Sequence, residues 1–316
     1  MIVVKHPTNF NEKPKIGKPL VERKGDILLF LSSLIFAVVS LLVKLASTNT
    51  SGIFIASWRF IVGAVMTVFA LKILKISIKI EKKSEWFLRG LFGSIAMVCF
   101  YLSIQHSSLS RAALLCNTSP VFVAIFGYLI FKEKLRLENI VSLLFCFTGV
   151  VVIFYERGSY SLMGDILGLL SGVFSGMAIH YVKRSSMRNH ALLVYLSPCL
   201  FGLFFIPLTF SGYHDITVNN FLLVIIIGIL TAIAQFFMTS GYRYVSATRG
   251  SILSYLQIPL TILLGAVFVQ DPFPAGFLIG ILLVSAGLLV NMIRLRSGIG
   301  SMIKVGMSSI SELLHK

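Results

Sequence analysis

The sequence predicts an all-α membrane protein whose ten transmembrane helices form two inverted five-helix repeats, with both termini in the cytoplasm. Three observations support this fold class: the composition, an internal repeat and the distribution of basic residues. The chain has 316 residues, of which 56% are hydrophobic and only 13% are charged, and its mean hydropathy is +0.90. Soluble domains contain about 25% charged residues, so most of this chain is predicted to lie in lipid.

Ten apolar stretches are long enough to cross a bilayer as helices, which takes roughly 20 residues each. They are longer and more uniformly apolar than the alternating strands of a membrane barrel. The predicted spans cover residues 27–46, 53–71, 87–105, 112–131, 139–155, 164–182, 191–210, 220–240, 250–270 and 274–293.

The first and sixth spans begin alike, with GDILLFLS at 25–32 and GDILGLLS at 164–171. Between 25–47 and 164–186, nine of 23 positions are identical. Because each half holds an odd number of helices, the second half enters the membrane from the opposite face. We expect Asp26 and Asp165 to cap the N-termini of these two helices.

The C-terminal part of each half also repeats, and its spans contain prolines. Residues 111–153 match 249–291, with Arg111 aligned to Arg249. Pro120 and Pro259 each lie near the middle of a span, where proline removes one helical hydrogen bond. Broken helices at matching positions of inverted repeats predict a binding site near the membrane midplane. The alternative is that each proline only kinks its helix for packing and that no binding site is formed there.

Basic residues set the orientation. If the N-terminus is cytoplasmic, the inner segments hold 24 of the 28 Lys and Arg residues, and the outer segments hold only Lys44, Arg111 and Arg157. This asymmetry is the positive-inside rule. The net charge of +16 therefore indicates contact with anionic lipid rather than nucleic acid. The predicted organisation is a flexible cytoplasmic tail at 1–25, a first repeat at 26–156, an inverted second repeat at 164–293 and a cytoplasmic tail at 294–316.

The chain resembles a known family in three places. These are SPVFVAIFGYLIFKEK at 119–134, WRF at 58–60 and the lysine at the end of the first span, Lys44. With the two five-helix repeats, they resemble the EamA-type, ten-helix branch of the drug/metabolite transporter superfamily over residues 25–293. The resemblance implies alternating access around a central cavity between the repeats. It leaves the substrate open, because that family handles amino acids, nucleotide-like metabolites, sugars and drugs.

Polar side chains within the spans are candidates for substrate binding or gating. Arg59 is the sharpest, because a charge at the centre of a span costs roughly 2.5–3.5 kcal/mol or more unless it is paired or hydrated. It could bind backbone carbonyls, join the two halves or meet an anionic substrate group. Lys44 and Lys183 are expected to extend to the interface, with gating as the alternative. The candidate set is Arg59, Tyr101, Asn117, Ser119, His180, Gln235, Tyr255 and Gln257.

No Asp or Glu lies deep in a predicted span, which argues against proton coupling through a carboxylate. The preferred function is facilitated exchange of amino-acid-like zwitterions, including S-adenosylmethionine-like compounds, with Arg59 facing their carboxylate. A proton-linked exporter of drugs or other metabolites is the alternative. The alternatives from another functional class are an intramembrane enzyme and a membrane scaffold that transports nothing.

An enzyme is disfavoured, because the sequence has no H-E-x-x-H, no G-x-S-x-G and no embedded carboxylate pair. We therefore expect no catalytic residue, no metal and no cofactor. The expected partners are a small-molecule substrate and the lipid bilayer, without nucleic acid, and a homodimer is left open. The expected location is a bacterial inner membrane.

Overall fold

The computed structural model of the chain describes residues 18–132, 140–141, 144–145, 148–149, 151–152, 161–212, 218–254, 257–270, 278–283 and 285–287. Within these ranges all regular secondary structure is helical. The predicted spans at 139–155 and 274–293 fall largely outside them.

The first half contains five described helices: α1 (Lys18–Ala46), α2 (Gly52–Ile73), α3 (Lys83–His106), α4 (Leu109–Cys116) and α5 (Ser119–Leu129). The second half contains α6 (Leu162–Ser186), α7 (Ala191–Gly202), which continues as a 3₁₀ helix over Leu203–Gly212, α8 (Val218–Tyr242), α9 (Ala247–Leu253) and α10 (Gln257–Leu264), which ends in a π-helical turn over Gly265–Val269.

Seven helical segments of the described chain are long and apolar enough to cross a membrane: Arg23–Ala46, Gly52–Ile73, Lys83–His106, Leu109–Leu129, Leu162–Ser186, Ala191–Thr209 and Asn220–Tyr242. Large apolar side chains such as Val65, Phe69 and Phe204 are exposed on their outer surfaces. An apolar exterior of this kind suits lipid rather than water. The composition and these helices make the chain an integral membrane protein.

The fourth predicted span is broken where the sequence predicts a break. α4 ends at Cys116, α5 begins at Ser119, and Pro120 occupies the first turn of α5, where the missing N–H of proline costs no helical hydrogen bond. In the second half, α9 ends at Leu253 and α10 begins at Gln257. The fourth span therefore consists of two short helices.

The halves pack through equivalent helices, α3 against α6 and α1 against α8. Small residues allow these helices to approach closely. The Ser103 hydroxyl donates to the Gly164 carbonyl at 2.7 Å, and a Cβ at Gly168 would lie 2.9 Å from the Ser103 hydroxyl oxygen. In the other interface, a Cβ at Gly241 would lie 3.1 Å from the carbonyl oxygen of Gly25.

The capping role predicted for Asp26 and Asp165 is wrong. α1 already begins at Lys18, and the residue that precedes α6 is Ser161. Each carboxylate instead binds an arginine from the other half. Nε and Nη2 of Arg111 donate to the two carboxylate oxygens of Asp165 at 2.6 and 2.7 Å, and Nη2 of Arg249 donates to Asp26 at 2.7 Å.

The repeated lysines Lys44 and Lys183 bind helix ends. Nζ of Lys44 donates to the carbonyl oxygens of Ile104 and Ser107, at 3.1 and 2.6 Å, beside the C-terminus of α3. Nζ of Lys183 donates to the carbonyl oxygen of Arg243 at 3.2 Å, beside the C-terminus of α8. Both ammonium groups thus satisfy carbonyls that a helix end leaves without an internal partner.

Candidate functional site

A cavity of about 120 Å³ lies between helices of the two halves. The polar side chains of its wall are Arg59, Arg89, Tyr101, Asn117, Ser119, Ser171, Ser175, Gln235, Tyr242, Ser254 and Gln257. The break between α4 and α5 contributes Asn117 and Ser119, and the second half contributes Ser254 and Gln257. Polar residues near both prolines thus line this cavity, and its predicted role as a binding site stays a prediction.

Of the eight candidate residues, the structure brings six to this wall: Arg59, Tyr101, Asn117, Ser119, Gln235 and Gln257. His180 is not on it. Its Nε2 is 2.8 Å from the carbonyl oxygen of Val123, and its ring stacks on Phe131 with the ring centroids 4.3 Å apart. His180 thus joins α6 to α5. Tyr255 lies outside the described residues.

Arg59 is buried in the wall of the cavity, with 2% of its surface exposed. Its guanidinium carbon lies 4.3 Å from the ring centroid of Phe60 and 5.3 Å from that of Tyr101, so both ring faces attract the charge. Within the described chain, Nε and Nη1 of Arg59 have no hydrogen-bond partner. Such donors are costly to bury, and an acceptor on a bound molecule would satisfy them.

Arg89 is a second buried cation of the cavity that sequence reasoning missed. Only 3% of it is exposed, and its Nη2 donates to Oε1 of Gln235 in the other half at 3.2 Å. Its Nε has no partner in the described residues. The sequence-based prediction counted Arg89 among the 24 basic residues of the inner segments, because it lies at the start of the third predicted span, 87–105. α3 begins at Lys83, which puts Arg89 about two turns inside the helix.

One sequence signal could have pointed to Arg89, namely the glycine four residues later on the same helix face. The guanidinium of Arg89 lies so close to Gly93 that a Cβ there would overlap Nη1. The pair Arg89 and Gly93 therefore forms a slot in α3 that holds the cation against the helix.

Asn117 shows how the helix break presents polar atoms to the cavity. Its Nδ2 donates to the carbonyl oxygen of Ala113 at 2.7 Å, which leaves Oδ1 as an acceptor. Ser119 begins the next helix and shares the same wall. The wall thus combines donors on Arg59 and Arg89 with an acceptor on Asn117.

The described wall of the cavity carries two arginines and no carboxylate. The described carboxylates with ion pairs lie elsewhere. Asp165 pairs with Arg111 and Asp26 with Arg249, while Glu85 lies 3.7 Å from Lys82 and 3.9 Å from Arg188. Among the described residues, no group of three or more His, Cys, Asp or Glu side chains could hold a metal ion. The cavity is therefore suited to a molecule with negative charge.

Comparisons with known proteins identify the family. A model of the EamA-like transporter family matches residues 23–155 and again residues 162–293. The pseudopaline exporter CntI of Pseudomonas aeruginosa is 28% identical over 240 residues, which cover 75% of this chain and 84% of that protein. An uncharacterized transporter of Helicobacter pylori is 26% identical over 264 residues, covering 79% of this chain and 87% of its own length.

The fold has a counterpart among solved structures. A crystal structure superimposes on this chain with a TM-score of 0.63 and 17% sequence identity, covering 88% of this chain and 97% of the other. At that identity the likeness concerns the fold alone. The family model, in contrast, matches each half of the chain over nearly its full length. The chain therefore belongs to the EamA-like transporter family.

Proposed function

We propose that this chain is a secondary transporter that exchanges small amino-acid-like zwitterions across a membrane, with the central cavity as its substrate site. The observation that carries the proposal is Arg59, a buried guanidinium on the cavity wall whose Nε and Nη1 have no partner among the described residues. A substrate carboxylate would supply an acceptor for one of these donors through a charge-assisted hydrogen bond. Oδ1 of Asn117 is the acceptor proposed for the substrate ammonium group.

Alternating access is supported by contacts that recur at equivalent positions. Asp26 and Arg249 form one ion pair, and Asp165 and Arg111 form its counterpart. The helix ends beside the two pairs are different ones: α3 ends and α4 begins near Arg111, whereas α8 ends and α9 begins near Arg249. We propose that the pairs lie at opposite membrane faces of two inverted five-helix repeats, residues 26–156 and 164–293, with both termini cytoplasmic in a bacterial inner membrane.

The relatives support small-metabolite transport and make efflux the direction to measure first. One of them is named an exporter of pseudopaline, and another is named a transporter. A proton-linked exporter is the second candidate, but the described cavity wall lacks the carboxylate that such exporters commonly use. An intramembrane enzyme would need a nucleophile and a base facing each other. The described wall carries arginines, amides and hydroxyls, but no histidine or carboxylate to act as the base.

The test is counterflow in proteoliposomes without a pH gradient. Vesicles are loaded with a mixed pool of amino acids, nucleosides and S-adenosyl compounds, and entry of each labelled species is followed. We expect entry of a zwitterion that requires a related compound inside, and its loss in Arg59→Ala protein. Arg243→Ala, which alters an exposed arginine, is the matched control.

Two outcomes would contradict the proposal. Entry that begins only when a proton gradient is applied would favour the proton-linked exporter. Entry of simple cations alone would exclude a zwitterion as the substrate.

A further inference from the structure

We propose that Arg89 and Gln235 form a second anion-binding site in the cavity, so that the preferred substrate carries two acidic groups, one for Arg59 and one for Arg89. This inference rests on the proposed function and narrows its substrate class. It depends on four features of the cavity: two buried cations, donors without partners, the orientation of Gln235 and the volume.

The first feature is the charge. Arg59 and Arg89 are only 2% and 3% exposed, and both line one cavity. The described lining residues include no Asp or Glu. Two desolvated like charges without a counter-charge are unfavourable. One substrate carboxylate compensates one arginine, and a second acidic group compensates the other.

The second feature is the set of donors. Nε of Arg89 lacks a partner among the described residues, as do Nε and Nη1 of Arg59. The described chain thus leaves unsatisfied donors on both arginines of the cavity. A second carboxylate would accept from Arg89 with a charge-assisted hydrogen bond, which is about twice as strong as a neutral one.

The third feature is Gln235. Its Oε1 accepts from Nη2 of Arg89 at 3.2 Å, and this bond leaves the amide Nε2 as a donor beside the guanidinium. Arg89 comes from the first half and Gln235 from α8 of the second. A carboxylate bound by both would join the two halves.

The fourth feature is size. The cavity of about 120 Å³ is somewhat smaller than the roughly 150 Å³ engineered cavity that binds benzene. Within such a space, two acidic groups must belong to a short molecule. The class is therefore a small amino-dicarboxylate or dicarboxylate rather than a large conjugate.

The experiment compares molecules that differ only in the second acidic group. The pairs are glutamate with glutamine, aspartate with asparagine, and succinate with succinamate. Binding to the purified full-length protein is measured by thermal stabilisation and by competition, and entry by counterflow. We expect the diacid of at least one pair to bind about tenfold or more tightly than its amide, since a hydrogen bond to a charged group is worth roughly a factor of ten or more.

Variants separate the two arginines. In Arg89→Gln the preference for the diacid should fall to about one, while the amide still binds; in Arg59→Gln both members of a pair should weaken. Arg89→Lys keeps the charge but loses the planar guanidinium, so it should retain part of the preference for the diacid. This variant also tests the inference if Arg89→Gln does not fold. Arg243→Gln is the control.

Three results would overturn the inference. The first is equal binding of diacid and amide in every pair, or no binding of any diacid. The second is a preference that survives in Arg89→Gln. The third is glutamine transport that requires chloride, because a chloride ion would then compensate Arg89 in place of a second acidic group on the substrate. If one of these three results is obtained but other zwitterions still enter by counterflow, only the second anion-binding site is refuted and the proposed function remains. If no species enters at all, the proposed function itself is contradicted.

Discussion

At the scale of single residues, Gly93 decides where the charge of Arg89 can lie. A Cβ at this position would overlap Nη1 of Arg89, while its contact with Pro198 would be ordinary at 3.4 Å. Because the obstructing atom is the end of a flexible side chain, the backbone of α3 need not move. Gly93 is thus a positioning residue for the second cation.

Gly93→Ala should therefore change selectivity without loss of stability. Alanine is about 0.8–1 kcal/mol more favourable than glycine in a helix interior, so thermal unfolding should occur at the same or a higher temperature. The guanidinium of Arg89 should shift, and the preference for glutamate over glutamine should decrease. Binding of the pair and thermal unfolding are measured on the same preparation; an unchanged preference would show that the slot does not position Arg89.

The two Asp–Arg pairs are equivalent in sequence but differ in exposure. The side chains of Arg111 and Asp165 are 1% and 0% exposed, whereas those of Arg249 and Asp26 are 21% and 28% exposed. Losing one partner of a buried pair costs about 3–5 kcal/mol, because the remaining charge stays buried. A partly exposed pair contributes less than a buried one, toward the roughly 0–1 kcal/mol of a surface pair.

Asp165→Asn should accordingly lower the free energy of unfolding far more than Asp26→Asn, the matched change at the equivalent position. Unfolding of both variants in the same detergent, followed by circular dichroism, measures the difference. The double variant Arg111→Gln/Asp165→Asn should recover part of the loss, since it removes both charges. Equal losses for the two single variants would contradict the assigned difference in burial.

The residue types of the site could be predicted from the sequence, but their partners could not. A charge or amide within an apolar span must face the protein interior, which identified Arg59, Asn117 and Gln235. Arg89 was missed because its helix begins four residues earlier than expected. Arg111 and Asp165 are 54 positions apart, and nothing in the local sequence of Asp165 distinguishes a cap from one half of an ion pair.

At the scale of helices, the break between α4 and α5 is supported by the glycines of α6. A Cβ at Gly172 would lie 2.6 Å from the hydroxyl oxygen of Thr118, 3.0 Å from the carbonyl oxygen of Leu115 and 3.2 Å from that of Cys116. These carbonyls belong to the last turn of α4. α6 therefore packs directly against the backbone at the break.

Gly172→Ala should destabilise the protein even though alanine favours the helix. The carbonyls are backbone atoms and cannot rotate away, and overpacking of this kind costs about 1–3 kcal/mol. The thermal unfolding temperature should fall, and transport should fall with it, because Asn117 and Ser119 are positioned by the same break. Leu170→Ala, at a residue 39% exposed on the same helix, is the control; equal behaviour of the two variants would contradict the assigned contact.

Helix boundaries were predictable where apolar composition changes abruptly, as at the ends of α2 and α8. They were not predictable at α1 and α3, which extend beyond the apolar stretch into residues that carry Lys and Arg. Long basic side chains allow this, because their stems stay in apolar surroundings while their charges reach water. The break in the fourth span followed from proline, whose effect on a helix is local.

At the scale of the whole molecule, the charges of the described chain separate by helix end. One end carries Lys44 and Arg111, and both bind protein groups. The other end is formed where α2 meets α3, α6 meets α7 and α8 meets α9, and its exposed basic residues include Lys72, Lys75, Lys79, Lys82 and Arg243. The positive-inside rule predicts that the second end faces the cytoplasm.

Labelling of single introduced cysteines in intact cells tests this orientation. Thr48→Cys, between α1 and α2, should react with a membrane-impermeant maleimide, while Lys79→Cys, between α2 and α3, should react only after the membrane is opened. Both positions are exposed, so accessibility to the reagent, rather than burial, decides the result. The unsubstituted protein is the control, because its described cysteines Cys99, Cys116 and Cys199 are buried or partly buried.

A third position, Ser309→Cys in the C-terminal tail, tests the number of spans. With an even number of spans the tail lies on the side of Lys79, and with an odd number it lies on the side of Thr48. We expect Ser309→Cys to behave like Lys79→Cys, because two repeats of five helices return the chain to the face where it began. Labelling of Ser309→Cys in intact cells would exclude ten spans. It would also exclude two inverted five-helix repeats with the two Asp–Arg ion pairs at opposite membrane faces, the arrangement that supports the proposed alternating access.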